Sequence, residues 1–191
     1  MTDAFIGADG GSRIRPAMPS ELPRLASVYD AARGFMRKNG NLLQWAGGYP
    51  DAETLKRDIE RGQLYVCEGE EGVYAAFACI PGEDPTYRII TGGAWLRDAP
   101  YCAVHRVASD GTRHGVLEQI MAFCARFGRD LRVDTHRDNR PMQGALLKNG
   151  FAYCGIIFLA NGDERMAYQK ILPEGAPSAA AVPAFVSGGG R

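Results

Sequence analysis

The chain reads as an α/β domain of the mixed, α+β kind, and three observations predict this. Residues 101–128 join an apolar run to a glycine turn and then to an amphipathic stretch on which Val116, Ile120 and Cys124 share one helical face. Elsewhere short apolar runs alternate with helical stripes, giving a sheet of about seven strands flanked by about four helices. Asn161-Gly162, set between two apolar runs, is the sharpest hairpin signal in the chain.

Taken in order, residues 1–12 are Gly-rich and polar and read as a flexible lead-in. Residues 13–17 make a first strand. Ser20 caps a helix to about Lys38, with Leu22, Leu25, Val28, Ala32, Phe35 and Met36 as its stripe, Pro23 in its first turn and Gly40 at its end. A loop over 41–50 holds Gln44 and Trp45, and Asp51 caps a second helix whose inner face is Leu55 and Ile59. Strands follow at 64–68 and 73–80 around a glycine turn, and the prolines of 81–85 break the chain. Residues 87–96 extend around Gly92 and Gly93, and 101–107 is the strand of the opening stretch. Its helix runs to Phe127, with Gly128 as a left-handed cap. Leu131, Val133 and Thr135 alternate with polar residues in the next strand, and Asn139-Arg140-Pro141 opens the last helix. Strands at 151–159 and 164–171 complete a single domain over 13–172, and the Pro-, Ala-, Gly- and Ser-rich residues 173–191 read as a flexible tail.

The charge is balanced, 22 basic residues against 22 acidic, which argues against a nucleic-acid or membrane-surface binder. No apolar run reaches membrane-spanning length. Five cysteines lie scattered in apolar runs without a C-x-x-C pair, as expected of reduced, packed thiols in a cytoplasmic protein. The three histidines include no H-x-x-x-H pair, so no metal site is expected.

Strand, glycine turn, helix start is also an arrangement that aims free main-chain N–H groups at an anion, which makes 110–116 a candidate phosphate cradle. The same turn occurs in α/β proteins that bind nothing there.

The order of elements over roughly 13–172 resembles the GNAT superfamily of acyl-CoA-dependent N-acyltransferases. Two stretches carry the likeness: HRVASDGTRHGV (105–116) and VDTHRDNRPMQGALLKNGFAYCGII (133–157). Residues 105–116 resemble the family's fourth strand, pyrophosphate loop and third helix start. Residues 133–157 resemble its fifth strand, the Asn opening its fourth helix, and the Gly-Phe before its sixth strand. The resemblance implies a mostly antiparallel sheet whose fourth and fifth strands splay apart, with the pantetheine arm of acetyl-CoA in the gap. Two features depart from the pattern. The family loop reads Gln/Arg-x-x-Gly-x-Gly/Ala, of which only Gly115 remains here, and Leu146 stands where many members carry a proton-donating Tyr.

By resemblance, Val107, Ala108, Arg113, His114, Gly115, Val116 and Asn139 contact the cofactor, a main-chain N–H near Val107 meets the acyl oxygen, and no metal takes part. His105 is the first candidate to take the amine's proton and Asp134 the second; an ordinary strand histidine and an ion-paired strand carboxylate are the other readings. Tyr153 is the candidate replacement acid. Gln44, Trp45, Tyr87 and Trp95 sit in segments that wall the acceptor site in such proteins, although core packing would explain them equally. The implied activity is acetyl transfer from acetyl-CoA to a primary amine of a small molecule or peptide. A non-catalytic acyl-CoA-binding module of the same fold is the alternative. Sheet edges in such proteins often pair, which leaves a homodimer open.

Overall fold

A computed structural model describes Phe5–Ile6 and residues 11–173; nearly all of the expected tail lies outside them. In chain order the elements are β1 (Phe5–Ile6), β2 (Arg13–Pro16), α1 (Leu22–Lys38), α2 (Ala52–Glu60), β3 (Leu64–Gly69) and β4 (Gly72–Pro81). Then come β5 (Tyr101–Ser109), α3 (Val116–Cys124), β6 (Asp130–Thr135), α4 (Arg140–Lys148), β7 (Ala152–Phe158) and β8 (Glu164–Ile171). One sheet runs in the order β1-β2-β3-β4-β5-β6-β8-β7. Every neighbouring pair is antiparallel except β5 and β6. Seven of these strands are the expected set. The eighth, β1, comes from the lead-in: Phe5 pairs with Ile14 and stacks edge-on against Phe123 at 5.8 Å.

Strand side chains alternate between faces, and the helices divide accordingly. Helices α1 and α2 cover Leu64, Val66, Ala76, Ala78 and Ala108. Helix α3, with Leu146 of α4, covers Cys67, Phe77, Cys102, Val104 and Val133. Along β5, therefore, Cys102 and Val104 face α3, while Ala103 and His105 face the other way. All five cysteines are free and buried, two of them (Cys79 and Cys102) with sulfurs 2.9 Å apart.

Local chemistry accounts for most boundaries. Asp51 caps α2 by accepting from Thr54 N at 2.8 Å, and Asn139 caps α4 by accepting from Met142 N at 3.3 Å. Other expectations need correcting. Ser20 lies within a short 3-10 turn (Pro19–Glu21) and caps nothing, so α1 starts after Glu21. Phe35, placed on the buried stripe, is exposed. Helix α3 stops at Cys124, and Gly128 is not among the left-handed glycines. The extended reading of 87–96 also fails. Pro85–Tyr87 is a 3-10 turn, and the segment beyond forms no strand; Thr91 makes an isolated β-bridge to Ile156 and Leu96 N donates to the Gln169 side chain at 2.8 Å. Glycine permits that docking: a Cβ on Gly93 would collide with the Cys154 carbonyl oxygen, and one on Gly155 would lie 2.6 Å from Thr91 O.

Candidate active site

β5 and β6 are joined by three residue pairs only, Tyr101 with Asp130, Cys102 with Leu131 and Ala103 with Arg132. Beyond them β5 keeps only β4 and β6 keeps only β8, so the facing edges from Val104 and Val133 onward have no strand partner among the described residues. A bulge accompanies the opening. Ala78 faces His105 and Ala76 faces Ala108, leaving Arg106 and Val107 opposite Phe77 alone. Arg106 takes φ +54°, a left-handed conformation uncommon for a bulky residue.

Tertiary contacts hold it there. Arg106 Nε lies 2.7 Å from Asp58 Oδ2 of α2, its guanidinium donates to Tyr49 Oη at 3.2 Å, and Tyr29 Oη of α1 donates to its carbonyl at 3.0 Å.

The opening leads into a cavity of about 620 Å³. Its walls include Gln44, Trp45 and Tyr49 from the α1–α2 loop, and His105, Val107 and Asp134 from the separated strands. At its centre, His105 Nε2 is 2.9 Å from Asp84 Oδ2, and His105 Nδ1 is 3.5 Å from Asp134 Oδ1. Tyr87 Oη donates to Asp134 Oδ1 at 2.8 Å from beneath, and Asp84 is fixed by accepting from Thr86 N at 2.8 Å. A ring with a carboxylate at each nitrogen is satisfied only when both nitrogens carry hydrogen. Burial alone would push His105 down, but the bonds to Asp134 and Asp84 outweigh it and lift the imidazole to about 9. Burial works against both carboxylates as well, and the bond to His105 nonetheless holds Asp84 and Asp134 below the usual range. The resting cluster is therefore an imidazolium between two carboxylates. The sequence reading put His105 first as the base; the two carboxylates instead favour its protonated form at rest.

Where β6 leads into α4, Gln44 of the α1–α2 loop meets the donors at the edge of the opening. Its carboxamide oxygen accepts from Asn139 Nδ2 at 2.9 Å and lies 3.4 Å from both His136 N and Thr135 Oγ1. Those donors thus fit an amide carbonyl, the group a pantetheine arm carries. Farther out, Asp110 orders the β5–α3 turn by accepting from Thr112 N at 3.0 Å, and Gly115 enters α3 at φ +71°. The helix start leaves its first N–H groups without intrahelical partners.

The sequence-derived residues are thus only partly assembled. His105, Val107, Asp134, Asn139, Gln44 and Trp45 line the cavity. Ala108, Arg113, His114, Gly115 and Val116 are not in its walls; they lie at the end of β5 and along the turn beyond, with the Arg113 guanidinium over the Tyr74 ring at 4.9 Å. Tyr153 is exposed on β7, separated from β6 by β8 and stacked on Tyr168, and it is not in the cavity wall. Leu146 is fully buried in the α3-side core. Tyr87 is buried under Asp134 rather than walling the cavity, and Trp95 donates to Tyr87 O at 3.0 Å while covering Arg132. Sequence reading missed Asp84, Arg106 and Arg165. For Asp84 the visible signal was Asp-Pro-Thr, a turn signature that says nothing of a histidine 21 residues away.

A mixed sheet parted between its two parallel strands, with a bulge on one lip and a glycine-led helix start beyond it, is the architecture of the GNAT superfamily. Among solved structures, an acetyltransferase of the GNAT family from Streptococcus agalactiae is 31% identical, with a TM-score of 0.80 over 90% of this chain and 100% of its own. The chain belongs to the GNAT family of acetyltransferases. A second GNAT-family acetyltransferase, from Listeria monocytogenes, is 17% identical at a TM-score of 0.64, covering 89% of this chain and 100% of its own. A ribosomal L7/L12 alpha-N-protein acetyltransferase in complex with coenzyme A is 17% identical at 0.56, covering 89% and 98%; these two share the fold. Neither a protein-family model nor a curated protein matches the sequence. No helix among the described residues is long and apolar enough to cross a membrane.

Proposed function

We propose that the chain transfers an acetyl group from acetyl-CoA to a primary amine of a small molecule or peptide by direct attack. One observation carries this: the parted strands each contribute a titratable side chain, His105 and Asp134, to a single proton-holding cluster at the opening. Acetyl-CoA, when bound, supplies a thioester carbonyl open to attack and a thiolate that leaves. Asn139 and the facing edges of β5 and β6 would hold its pantetheine arm, and the start of α3 its diphosphate. The main-chain N–H near Val107, at the bulge, is assigned to the acyl oxygen.

The amine enters as the free base. As its C–N bond forms and the C–S bond breaks, His105 releases a proton to the departing sulfur. It then takes one from the acylated nitrogen, so the ring ends as it began. The proton at Nδ1 is the one to move, because its carboxylate contact is the longer of the two, 3.5 Å against 2.9 Å. Asp84 and Asp134 hold the ring in place throughout.

The test is thiol release from acetyl-CoA against a panel of primary amines, with CoA binding measured in parallel. Release with at least one amine supports transfer. Binding of CoA without release across the panel replaces it with the second reading, an acyl-CoA-binding module, which the burial of Leu146 and the remoteness of Tyr153 favour.

A further inference from the structure

Arg165 of β8 is buried in the wall of the same cavity, yet its charge is poorly answered. Its Nη1 donates to the carbonyl of Glu164 at 2.9 Å. The carboxylate beside it, Asp163, stands 3.7 Å away with its side chain 55% exposed. Among the described residues no other protein acceptor lies within hydrogen-bond distance of this guanidinium, a planar fork of five donors whose best-matched partner is a carboxylate.

Its position relative to the histidine cluster follows from register. Asp134 pairs with Ala167, and Arg165, two residues along β8, projects on the same face. Diagonal neighbours of this kind root about 7–8 Å apart. One part of the cavity wall thus holds two carboxylates around one imidazolium, with the Asp58-paired Arg106 next to them; another holds the Arg165 guanidinium beside the half-exposed Asp163, with Asn161 also in the wall. A cavity polarised in this way suits a molecule carrying an amine at one end and an acid at the other.

Resting on the acetyl-transfer reading above, we propose that the acceptor is an amine that also bears a carboxylate, an amino acid or very short peptide, with the acid forked onto Arg165 and the amine directed at His105. A lysine side chain deep within a protein has no acid to offer that position, and a polyamine would bring a second cation to it.

The experiment compares kcat/KM for the twenty amino acids, their carboxamides and the matching decarboxylated amines, using thiol release, in the wild type, Arg165→Gln and Arg165→Lys. The expected result is that the best amino acid exceeds its own carboxamide by at least about tenfold in the wild type. That ratio should collapse to about one in Arg165→Gln and recover in part in Arg165→Lys, with circular dichroism confirming that all three are folded. Equal use of acid and carboxamide by the wild type, or a ratio that survives in Arg165→Gln, overturns the proposal while leaving acetyl transfer standing. No turnover of any amine overturns both.

Discussion

β5 is two strands in one, and the contrast between its halves explains much of the molecule. Its first three residues are hydrogen-bonded on both sides and their neighbours are core: Cys102 and Ala103 are fully buried, and Tyr101 packs with Tyr87 and Arg132. From Val104 onward the strand is bonded on one side only, carries a bulge, and turns His105, Arg106 and Val107 into a cavity. The same backbone is held by pairing in one half and by side-chain anchors in the other. Substitutions should therefore act on stability in the first half and mainly on chemistry or anchoring in the second.

The largest effect is expected at His105. His105→Gln removes the mobile proton and should lower kcat by about 10²–10⁴-fold, read by thiol release per folded molecule. It also leaves Asp84 and Asp134 facing each other, so its melting temperature should fall. Undiminished kcat would show that the open half does no proton transfer. Next comes the anchor. Asp58→Asn strands the Arg106 guanidinium in a buried site and should cost about 3 kcal/mol in urea unfolding; a change within experimental scatter would mean the bulge is held by other contacts. In the closed half, Ala103→Val overfills a fully buried position. It should cost about 1–3 kcal/mol while kcat of the folded fraction stays at the wild-type value.

Smaller and more diagnostic effects lie in pH. The proposed donor form of His105 is full below its folded value of about 9, so activity should fall as pH rises through that value. Asp84→Asn removes one of the carboxylates lifting the ring, and should move this upper limb to lower pH. Stability carries the same sign. A histidine raised from 6.5 to about 9 on folding contributes stability that is complete below pH 6.5 and is lost as pH climbs through 9. Thermal melts of wild type and His105→Gln between pH 6 and 10 should therefore converge at the alkaline end, and parallel curves would contradict the ion triad.

The fold was legible because its signals are local. Stripes such as Leu25, Val28 and Ala32, the Asp51 and Asn139 caps, and the Asn161-Gly162 turn each act within a few residues of themselves. Of the residues now found in the cavity wall, His105 and Asp134 were pointed to by their places two before Val107 and five before Asn139, and Gln44 and Trp45 by the loop that holds them. Asp84 reaches His105 from a proline-broken connection, and its partner is set by how that connection folds back. The protonation of His105 could not be read either, because it depends on two carboxylates from different elements closing on one ring. For Tyr87 and Trp95 the core-packing alternative is the one the structure shows: Gly93, expected in an extended stretch, and Gly155, which carried no signal of its own, let their segment dock and turn them inward.

The bulged arginine has a wider consequence. Through Asp58, Tyr49 and Tyr29 it ties α2, the α1–α2 loop and α1 to a single residue of the sheet. Those moorings leave most of 41–48 unconstrained by them, including the exposed Leu42 and Leu43. Replacing Leu42 and Leu43 should therefore leave the three tethers in place, and with them the ring and carboxylates they help to position.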